Sequence, residues 1–196
     1  MSGQRIVLAS RSPRRVELLT RITPDFLVVG STIEEEASGS PEEQVVALAR
    51  AKAHDVARKH KGIVIGADTV VVLDGEILGK PHSRDEAQSM LERLSGREHV
   101  VLTGLHVLAT EDRKEAEACE RTLVRFRRLE KEEIETYLDT GEYADKAGAY
   151  AIQGRGALLV QGINGDFFNV MGLPLARLYL LLSEVGVSFV GEADRD

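Results

Sequence analysis

The sequence predicts an α/β protein in which helices cover a largely buried β-sheet. The main indication is residues 62–81, GIVIGADTVVVLDGEILGKP, in which Ile63 to Ile65 and Val70 to Leu73 form an almost continuous apolar run. Such a run is typical of a strand covered on both faces, because a half-exposed strand would alternate apolar with polar residues. Strand-like and helix-like segments also alternate along the chain, which is the order expected of α/β proteins.

Length and composition predict one compact domain over residues 1–196, with residues 191–196 as a frayed tail. The chain has 196 residues, of which 43% are hydrophobic, enough for a substantial core. Its formal net charge of −7 argues against binding a nucleic-acid polymer, because that affinity comes from neutralising many phosphates. The lone Cys119 suits a packed thiol in a reducing compartment. Because no run of 18 apolar residues occurs, we expect a cytoplasmic protein without a membrane segment.

Local signals place the elements in order. Ser12 and Pro13 suit the N-cap and first residue of a helix, and Asp74-Gly75 suits a tight hairpin turn. Ser83, with Glu86 three residues later, predicts a capping box at another helix start. The predicted strands are 4–9, 26–29, 63–73, 76–78, 98–109 and 116–126. The predicted helices are 13–22, a long helix that starts at Pro41 and includes Ala53, 83–94, 130–139 and 172–185.

The turn after the first strand has the composition of an anion site. Ser10, Arg11, Arg14 and Arg15 surround the predicted helix start. Free backbone N–H groups and the helix dipole favour an anion there, whereas arginines in a first turn are unfavourable for the helix alone. A solvated basic turn paired with acidic neighbours is the alternative interpretation.

Asp68 interrupts the apolar run of residues 63–73. A carboxylate that loses water costs several kcal/mol unless it is paired or bound to a metal, which suggests metal binding or proton transfer. An Asp at a bulge or a strand end, solvated or bonded to backbone amides, is the alternative. The hairpin return carries Lys80 on the adjoining strand, so a carboxylate and an ammonium group lie on neighbouring strands.

Three further features have an ordinary interpretation by composition alone. Glu34, Glu35 and Glu36 resemble a solvated acidic loop, and Lys52 lies one position off an apolar helical stripe, as a surface lysine would. Gln153 stands in a glycine-rich segment, where its amide either bonds neighbouring backbone or recognises a ligand.

Together, an arginine-rich turn and isolated carboxylates suggest metal-assisted chemistry on a phosphate ester or anhydride. The five histidines show no spacing typical of metal ligands along the sequence. The sequence contains no GxxxxGK[ST] motif, so the arginine-rich turn is not a Walker loop. It contains neither a G-x-S-x-G elbow nor a Cys/His signature, so covalent catalysis is disfavoured.

Four stretches, in order, resemble the Maf family of nucleoside triphosphate pyrophosphatases. They are LASRSPRR at residues 8–15, GADTVV with GKP at 66–71 and 79–81, LSGR through TG at 94–104, and DKAG through QG to NV and GLP at 145–174. The resemblance spans nearly the whole chain. It implies a long twisted mixed β-sheet flanked by helices, similar to the inosine-triphosphate pyrophosphatase (Maf/Ham1) fold, and a homodimer.

The resemblance also implies a reaction, in which a nucleoside triphosphate and water yield the monophosphate and pyrophosphate with Mg²⁺ or Mn²⁺ as cofactor. By position, Asp68 and Glu35 resemble the family's catalytic and metal-binding carboxylates, with Glu34 or Glu36 replacing Glu35 if the loop is offset. The catalytic set further includes Lys80. The substrate-binding set implied by the resemblance is Ser10, Arg14, Arg15, Lys52, Thr69 and Gln153. Thr69, Gln153 and Arg14 resemble the combination of the branch that prefers dTTP and UTP.

Two other functions remain compatible with the same residues. The family is also associated with septum formation and cell division, so a nucleotide-sensing interaction protein with slow hydrolysis is one alternative. Transfer of a nucleotidyl group to an acceptor is the other.

Overall fold

The structure, a computed structural model, describes residues 5–34 and 36–187, which form seven strands and six α-helices. Glu35 and the predicted tail of residues 191–196 lie outside the described residues. The strands are β1 (Ile6–Leu8), β2 (Phe26–Val28), β3 (Ile63–Leu73), β4 (Glu76–Leu78), β5 (Glu98–Ala109), β6 (Lys114–Phe126) and β7 (Val160–Asn164). The helices are α1 (Pro13–Thr20), α2 (Pro41–Ala57), α3 (Arg84–Leu94), α4 (Lys131–Asp139), α5 (Phe167–Met171) and α6 (Leu175–Glu184). Two short 3₁₀ segments cover Ala147–Ala149 and Gly154–Leu159.

The strands form one mixed sheet in the order β2-β1-β3-β5-β6-β7, with β4 paired to β3. β1 runs parallel to both β2 and β3, whereas β4 is antiparallel to β3 and β7 is antiparallel to β6. β5 and β6 are neighbours joined by a four-residue turn, which only an antiparallel pair permits. The predicted α/β class with a mixed sheet is confirmed.

The first helix and the hairpin turn begin at the residues that the sequence predicts. Pro13 is the first residue of α1 after the N-cap Ser12, although the Ser12 side chain makes no capping bond. Asp74 and Gly75 have φ of 52° and 82°, the left-handed pair that a two-residue hairpin turn requires.

The capping box predicted at Ser83 is only half formed. Ser83 Oγ accepts the Glu86 N–H at 3.1 Å, as predicted. The Glu86 carboxylate, however, accepts the N–H of His82 at 2.7 Å. The return bond therefore goes to the residue before the N-cap.

The described chain divides into two compact units. The first contains the residues up to Asp68, Thr103–Glu120 and those from Gly172 onward, and the second contains Thr69–Leu102 and Arg121–Met171. The chain passes between them along β3, β5 and β6. A single domain over residues 1–196 stays a prediction.

In the first unit, α2 lies unusually close to the sheet because two glycines face it. A Cβ on Gly66 of β3 would come within 2.1 Å of the Ala49 carbonyl oxygen, and a Cβ on Gly104 of β5 within 2.2 Å of that of Val45. Only glycine allows such an approach without moving the backbone. The small residues Ala49 and Ala53 then pack directly on the strands, and a buried cluster of Val7, Ala9, Ala53, Val56, Ala57 and Val64 fills the contact.

The second unit has its own larger core. α3, α4 and the segment after α4 pack on β3 to β6 around residues such as Leu91, Phe126 and Tyr150. Gly148, with φ of 67°, lies against the Val71 side chain, where a Cβ would come within 3.0 Å. In the part of the chain that the structure describes, no helix combines the length and apolarity needed to cross a membrane.

We expect Gly66→Ala to lower the free energy of unfolding by about 3 kcal/mol, because the added methyl group forces α2 away from β3. Gly162→Ala is the matched control, since Gly162 also lies in a strand but a Cβ there meets nothing within 4 Å. Urea denaturation of both variants measures the difference. Equal stabilities of the two variants would contradict a close packing of α2 on Gly66.

Candidate active site

Asp68 lies in β3 with its side chain paired to Lys52 of α2. The Lys52 Nζ donates to Asp68 Oδ1 at 2.6 Å, and the two side chains are only 10% and 11% exposed. The expectation that Lys52 would be a surface lysine is therefore wrong. The interpretation of Asp68 as a solvated bulge residue is also wrong, because Asp68 is buried within a continuous strand.

The sequence of α2 explains how a lysine becomes buried there. Ala49, Lys52, Ala53 and Val56 recur at helical spacing and all are buried, so Lys52 belongs to the sheet-facing surface of the helix. Because Gly66 allows α2 to approach β3 closely, the lysine side chain reaches the carboxylate two residues further along that strand. A buried carboxylate and ammonium group so close stabilise each other's charged forms.

The loop between β1 and α1 is fixed by one arginine. Arg15 Nε donates to the Gly172 carbonyl at 2.8 Å, and its Nη1 donates to Ser10 Oγ at 3.3 Å. Ser10 is buried, and its hydroxyl also accepts the Ser12 N–H at 3.2 Å. Both of these Arg15 contacts are to neutral oxygens, and they hold the guanidinium in place.

The parallel register sets this loop beside the strand that carries Asp68. Leu8 pairs with Ile65, and the Ala9 N–H donates to the Ile65 carbonyl at 2.8 Å. β1 therefore ends level with Ile65, and the loop that begins at Ser10 starts where β3 continues toward Asp68. The first unit thus groups Ser10, Arg14, Arg15, Lys52 and Asp68 on neighbouring elements.

Thr69, Lys80 and Gln153 belong to the second unit. Thr69 is half-buried in β3, and Lys80 is exposed just after β4. The Gly148 N–H donates to the Gly79 carbonyl at 3.0 Å, which fixes the backbone immediately before Lys80. The sequence did not predict this hydrogen bond between Gly148 and Gly79, because the two residues are far apart along the chain.

Gln153 is half-buried at the start of the 3₁₀ segment Gly154–Leu159. Its side chain does not cap that segment, and among the described residues none forms a hydrogen bond with its amide. The interpretation in which Gln153 merely bonds neighbouring backbone is therefore not supported. The amide retains its donor and acceptor for another group.

Other predicted features lie outside this grouping. Glu34 and Glu36 are exposed. Cys119 is half-buried in β6, and burial raises the pKa of its thiol to about 11, so it is a packed thiol and not an activated nucleophile. A groove of about 680 Å³ in the first unit is lined partly by Glu42, Glu43 and Glu117, whose charges disfavour a triphosphate.

Known proteins resemble this chain over most of its length. The family model described as Maf-like protein matches residues 5–185, which is most of the chain. This chain belongs to the Maf family. A relative from Caldanaerobacter subterraneus subsp. tengcongensis, named dTTP/UTP pyrophosphatase, is 52% identical over 195 residues, covering 97% of this chain and 94% of the relative. A protein of the same name from a Thermoanaerobacter species is 52% identical over 181 residues, covering 91% and 95%.

Among solved structures, one titled "The structure of the Staphylococcus aureus Ham1 protein" matches with a TM-score of 0.46 and 20% identity. The match covers 63% of this chain and 72% of that chain. The fold class of this Maf protein rests on its own strand order and helices.

Several residues of the four Maf-like stretches hold backbone segments of this protein in position. Besides Gly66, Gly104 and Gly148, Asn169 is fully buried, and its amide donates to the Val101 carbonyl at 3.1 Å and to Thr122 Oγ1 at 3.0 Å. These contacts tie α5 to β5 and β6 within the second unit. Asn169 is therefore a structural residue, a role that the sequence alone did not assign.

We expect Lys52→Met to lower the free energy of unfolding of this Maf protein by about 3 kcal/mol, because it leaves a buried carboxylate without its partner. The double variant Lys52→Met/Asp68→Asn should recover most of that loss, since no buried charge remains. Lys59→Met, at an exposed lysine beyond α2, serves as control. Urea denaturation of Lys52→Met, Asp68→Asn and the double variant gives their free energies of unfolding. If the losses of the two single variants simply add up in the double variant, Lys52 and Asp68 are not coupled.

Proposed function

We propose that this protein hydrolyses nucleoside triphosphates, dTTP and UTP first, to the monophosphate and pyrophosphate. The observation that carries the proposal is the buried Asp68 held by Lys52 beside the arginine loop that follows β1. This arrangement combines an oriented carboxylate with cations suited to phosphate oxygens. The names and extensive identity of the Maf relatives support the same activity.

The triphosphate is bound by the loop from Ser10 to Arg15 and by Lys80. The N-terminus of α1 offers the positive end of its helix dipole, which favours an anion. Arg14 and Arg15 add guanidinium donors that fit phosphate oxygens, and the Ser10 and Gly172 contacts hold Arg15 in position before the substrate arrives. Lys80 contributes charge to the β- and γ-phosphates.

Asp68 orients the attacking water or accepts its proton as the bond between the α-phosphorus and the bridging oxygen breaks. Its second oxygen, Oδ2, has no hydrogen-bond partner among the described residues, whereas Oδ1 is engaged by Lys52. Lys52 holds the carboxylate in one orientation and adds positive charge on the phosphate side.

A divalent cation, Mg²⁺ or Mn²⁺, fits the donor set, because Asp68 Oδ2 is a carboxylate oxygen with lone pairs to spare. Glu35, which lies outside the described residues, is proposed as the second carboxylate, with Glu34 or Glu36 as alternatives. The ion would neutralise phosphate oxygens and so stabilise the charge that develops on pyrophosphate.

The uracil or thymine base is recognised by Gln153, with Thr69 as a further contact. Both bases present a carbonyl, a ring N–H and a second carbonyl, and one primary amide pairs with the N–H and one carbonyl at once. The half-buried Gln153 amide, without a partner among the described residues, has the donor and the acceptor that this pairing needs.

The wider setting is part of the same proposal. We propose a cytoplasmic homodimer whose functional domain comprises residues 1–196. A single cysteine suits a reducing compartment. The edge strand β2 exposes Leu27 and Val28, at 36% and 47%, which suits contact with another chain.

One assay separates hydrolysis from the two alternatives. Purified protein is incubated with dTTP or UTP and Mg²⁺ or Mn²⁺, and the products are quantified by chromatography. Equal amounts of monophosphate and pyrophosphate support hydrolysis. Nucleotide binding without turnover would instead support a sensing protein, and a product that requires an added acceptor would support nucleotidyl transfer.

We expect Asp68→Asn to reduce kcat by about a hundredfold or more, because the amide can neither accept a proton nor neutralise a cation. Its circular dichroism spectrum should stay unchanged, since the amide is nearly isosteric. Asp25→Asn, at an exposed loop position, should retain full activity. Turnover of Asp68→Asn close to that of the unmodified protein would remove Asp68 from the chemistry.

We expect dTTP and UTP to exceed dCTP and CTP in kcat/KM by roughly ten- to a hundredfold, because cytosine places a donor and an acceptor against like groups of Gln153. Gln153→Ala should narrow this gap mainly by slowing the favoured pair. Gln161→Ala, an exposed glutamine on β7, should leave it unchanged. An undiminished preference in Gln153→Ala would assign base recognition to other residues.

A further inference from the structure

A cluster of two histidines and one glutamate lies in the first unit, apart from the residues proposed for hydrolysis. His54 of α2, His106 of β5 and Glu115 of β6 each offer one ligand atom, and these atoms all lie within 4.8 Å of one another. Glu115 Oε2 lies 3.2 Å from His54 Nε2 and 3.4 Å from His106 Nε2. The histidine spacing along the sequence gave no sign of this cluster.

His106 is almost fully buried, at 1% exposure, and its Nε2 has no hydrogen-bond partner among the residues that the structure describes. Its other nitrogen, Nδ1, lies 3.1 Å from Glu117 Oε2. Because an ionised carboxylate can only accept hydrogen bonds, this contact places the proton on Nδ1. The Nε2 lone pair therefore points unsatisfied into the cluster.

Glu117 is itself held in the ionised state. Arg50 Nε donates to Glu117 Oε2 at 2.8 Å, and a second guanidinium nitrogen contacts Oε1.

Two acceptors therefore face each other across 3.4 Å, the His106 Nε2 lone pair and the Glu115 carboxylate. Such a contact is favourable only when a proton or a cation lies between the two atoms. In a tetrahedral zinc site with bonds of about 2.1 Å, neighbouring ligand atoms are separated by about 3.4 Å. The two distances measured to Glu115 Oε2 match that separation.

We propose that His54, His106 and Glu115 bind one transition-metal ion of the Zn²⁺ class, with Glu117 orienting His106 from the outer shell. Two imidazoles with one carboxylate favour such an ion over Mg²⁺, which prefers oxygen ligands. A carboxylate that accepts the second N–H of a ligating histidine is the usual support of a zinc site. The bound ion joins α2 to β5 and β6 and leaves its fourth position open.

Titration calorimetry with ZnCl₂ tests the site on the full chain, stripped with a chelator and kept in excess Mg²⁺. We expect one Zn²⁺ per chain and a raised Tm on binding. His54→Gln and Glu115→Gln should each weaken Zn²⁺ by about a hundredfold or more, and Glu117→Gln by about ten- to a hundredfold. His54 and Glu115 are about half exposed, so these two substitutions should not disturb folding.

His60→Gln, at a half-buried histidine after α2, is the matched control and should retain full affinity. Asp68→Asn should also retain it, which separates this site from the proposed catalytic cation. Visible absorption of Co²⁺ in the same site reports nitrogen ligation directly and should be lost in His54→Gln. Unchanged Zn²⁺ affinity in His54→Gln or Glu115→Gln, or no binding at all, would overturn the proposal in favour of a bridging proton.

Discussion

The ion pair between Lys52 and Asp68 requires helix α2 to pack closely on strand β3 in the first unit. Removing two charges from water costs several kcal/mol for each ion, and only a short contact in a fixed geometry offsets that cost. The 2.6 Å contact requires α2 to lie almost on the backbone of β3. Gly66 and Gly104 permit that approach, since a side chain at either position would collide with a carbonyl oxygen of the helix. The chemistry of Asp68 thus depends on residues that carry no functional group.

The Maf-like stretches accordingly contain two kinds of residue. One kind shapes the backbone: Gly148 holds the strand before Lys80 through its N–H, and Asn169 links α5 to two strands. The other kind presents charge or hydrogen-bonding groups, as Arg15 and Asp68 do. A short polar contact needs a rigid support, because a displaced catalytic group loses most of its effect.

Local charge matters more here than the net charge of −7. Exposed charges are screened beyond about 8 Å at physiological ionic strength, so a distant acidic surface hardly opposes an anion near the loop after β1. The acidic groove beside α2 has the opposite local character. Acidic side chains near His54 and His106 suit a cation, whereas the loop after β1 suits an anion, and the first unit supports both environments on separate elements.

The sequence by itself determined what depends on neighbours along the chain. Pro13, the Asp74-Gly75 turn and the apolar run of β3 each act within a few residues, and the α/β class followed from them. The Maf-like stretches also pointed to Asp68 as a functional carboxylate. Hydrophobic periodicity gave the wrong prediction for the burial of Lys52. An apolar stripe on α2 cannot indicate that a lysine is buried when its partner is a carboxylate on another element.

Only the tertiary structure decided which distant groups meet. The burial of Lys52, the bond that fixes Lys80, and the meeting of His54, His106 and Glu115 all join segments that are far apart along the chain. No local pattern encodes them, since they arise from the strand order and from how closely α2 approaches the sheet. The sequence determines the chemistry of each side chain, but backbone packing determines the distances at which side chains from different segments meet.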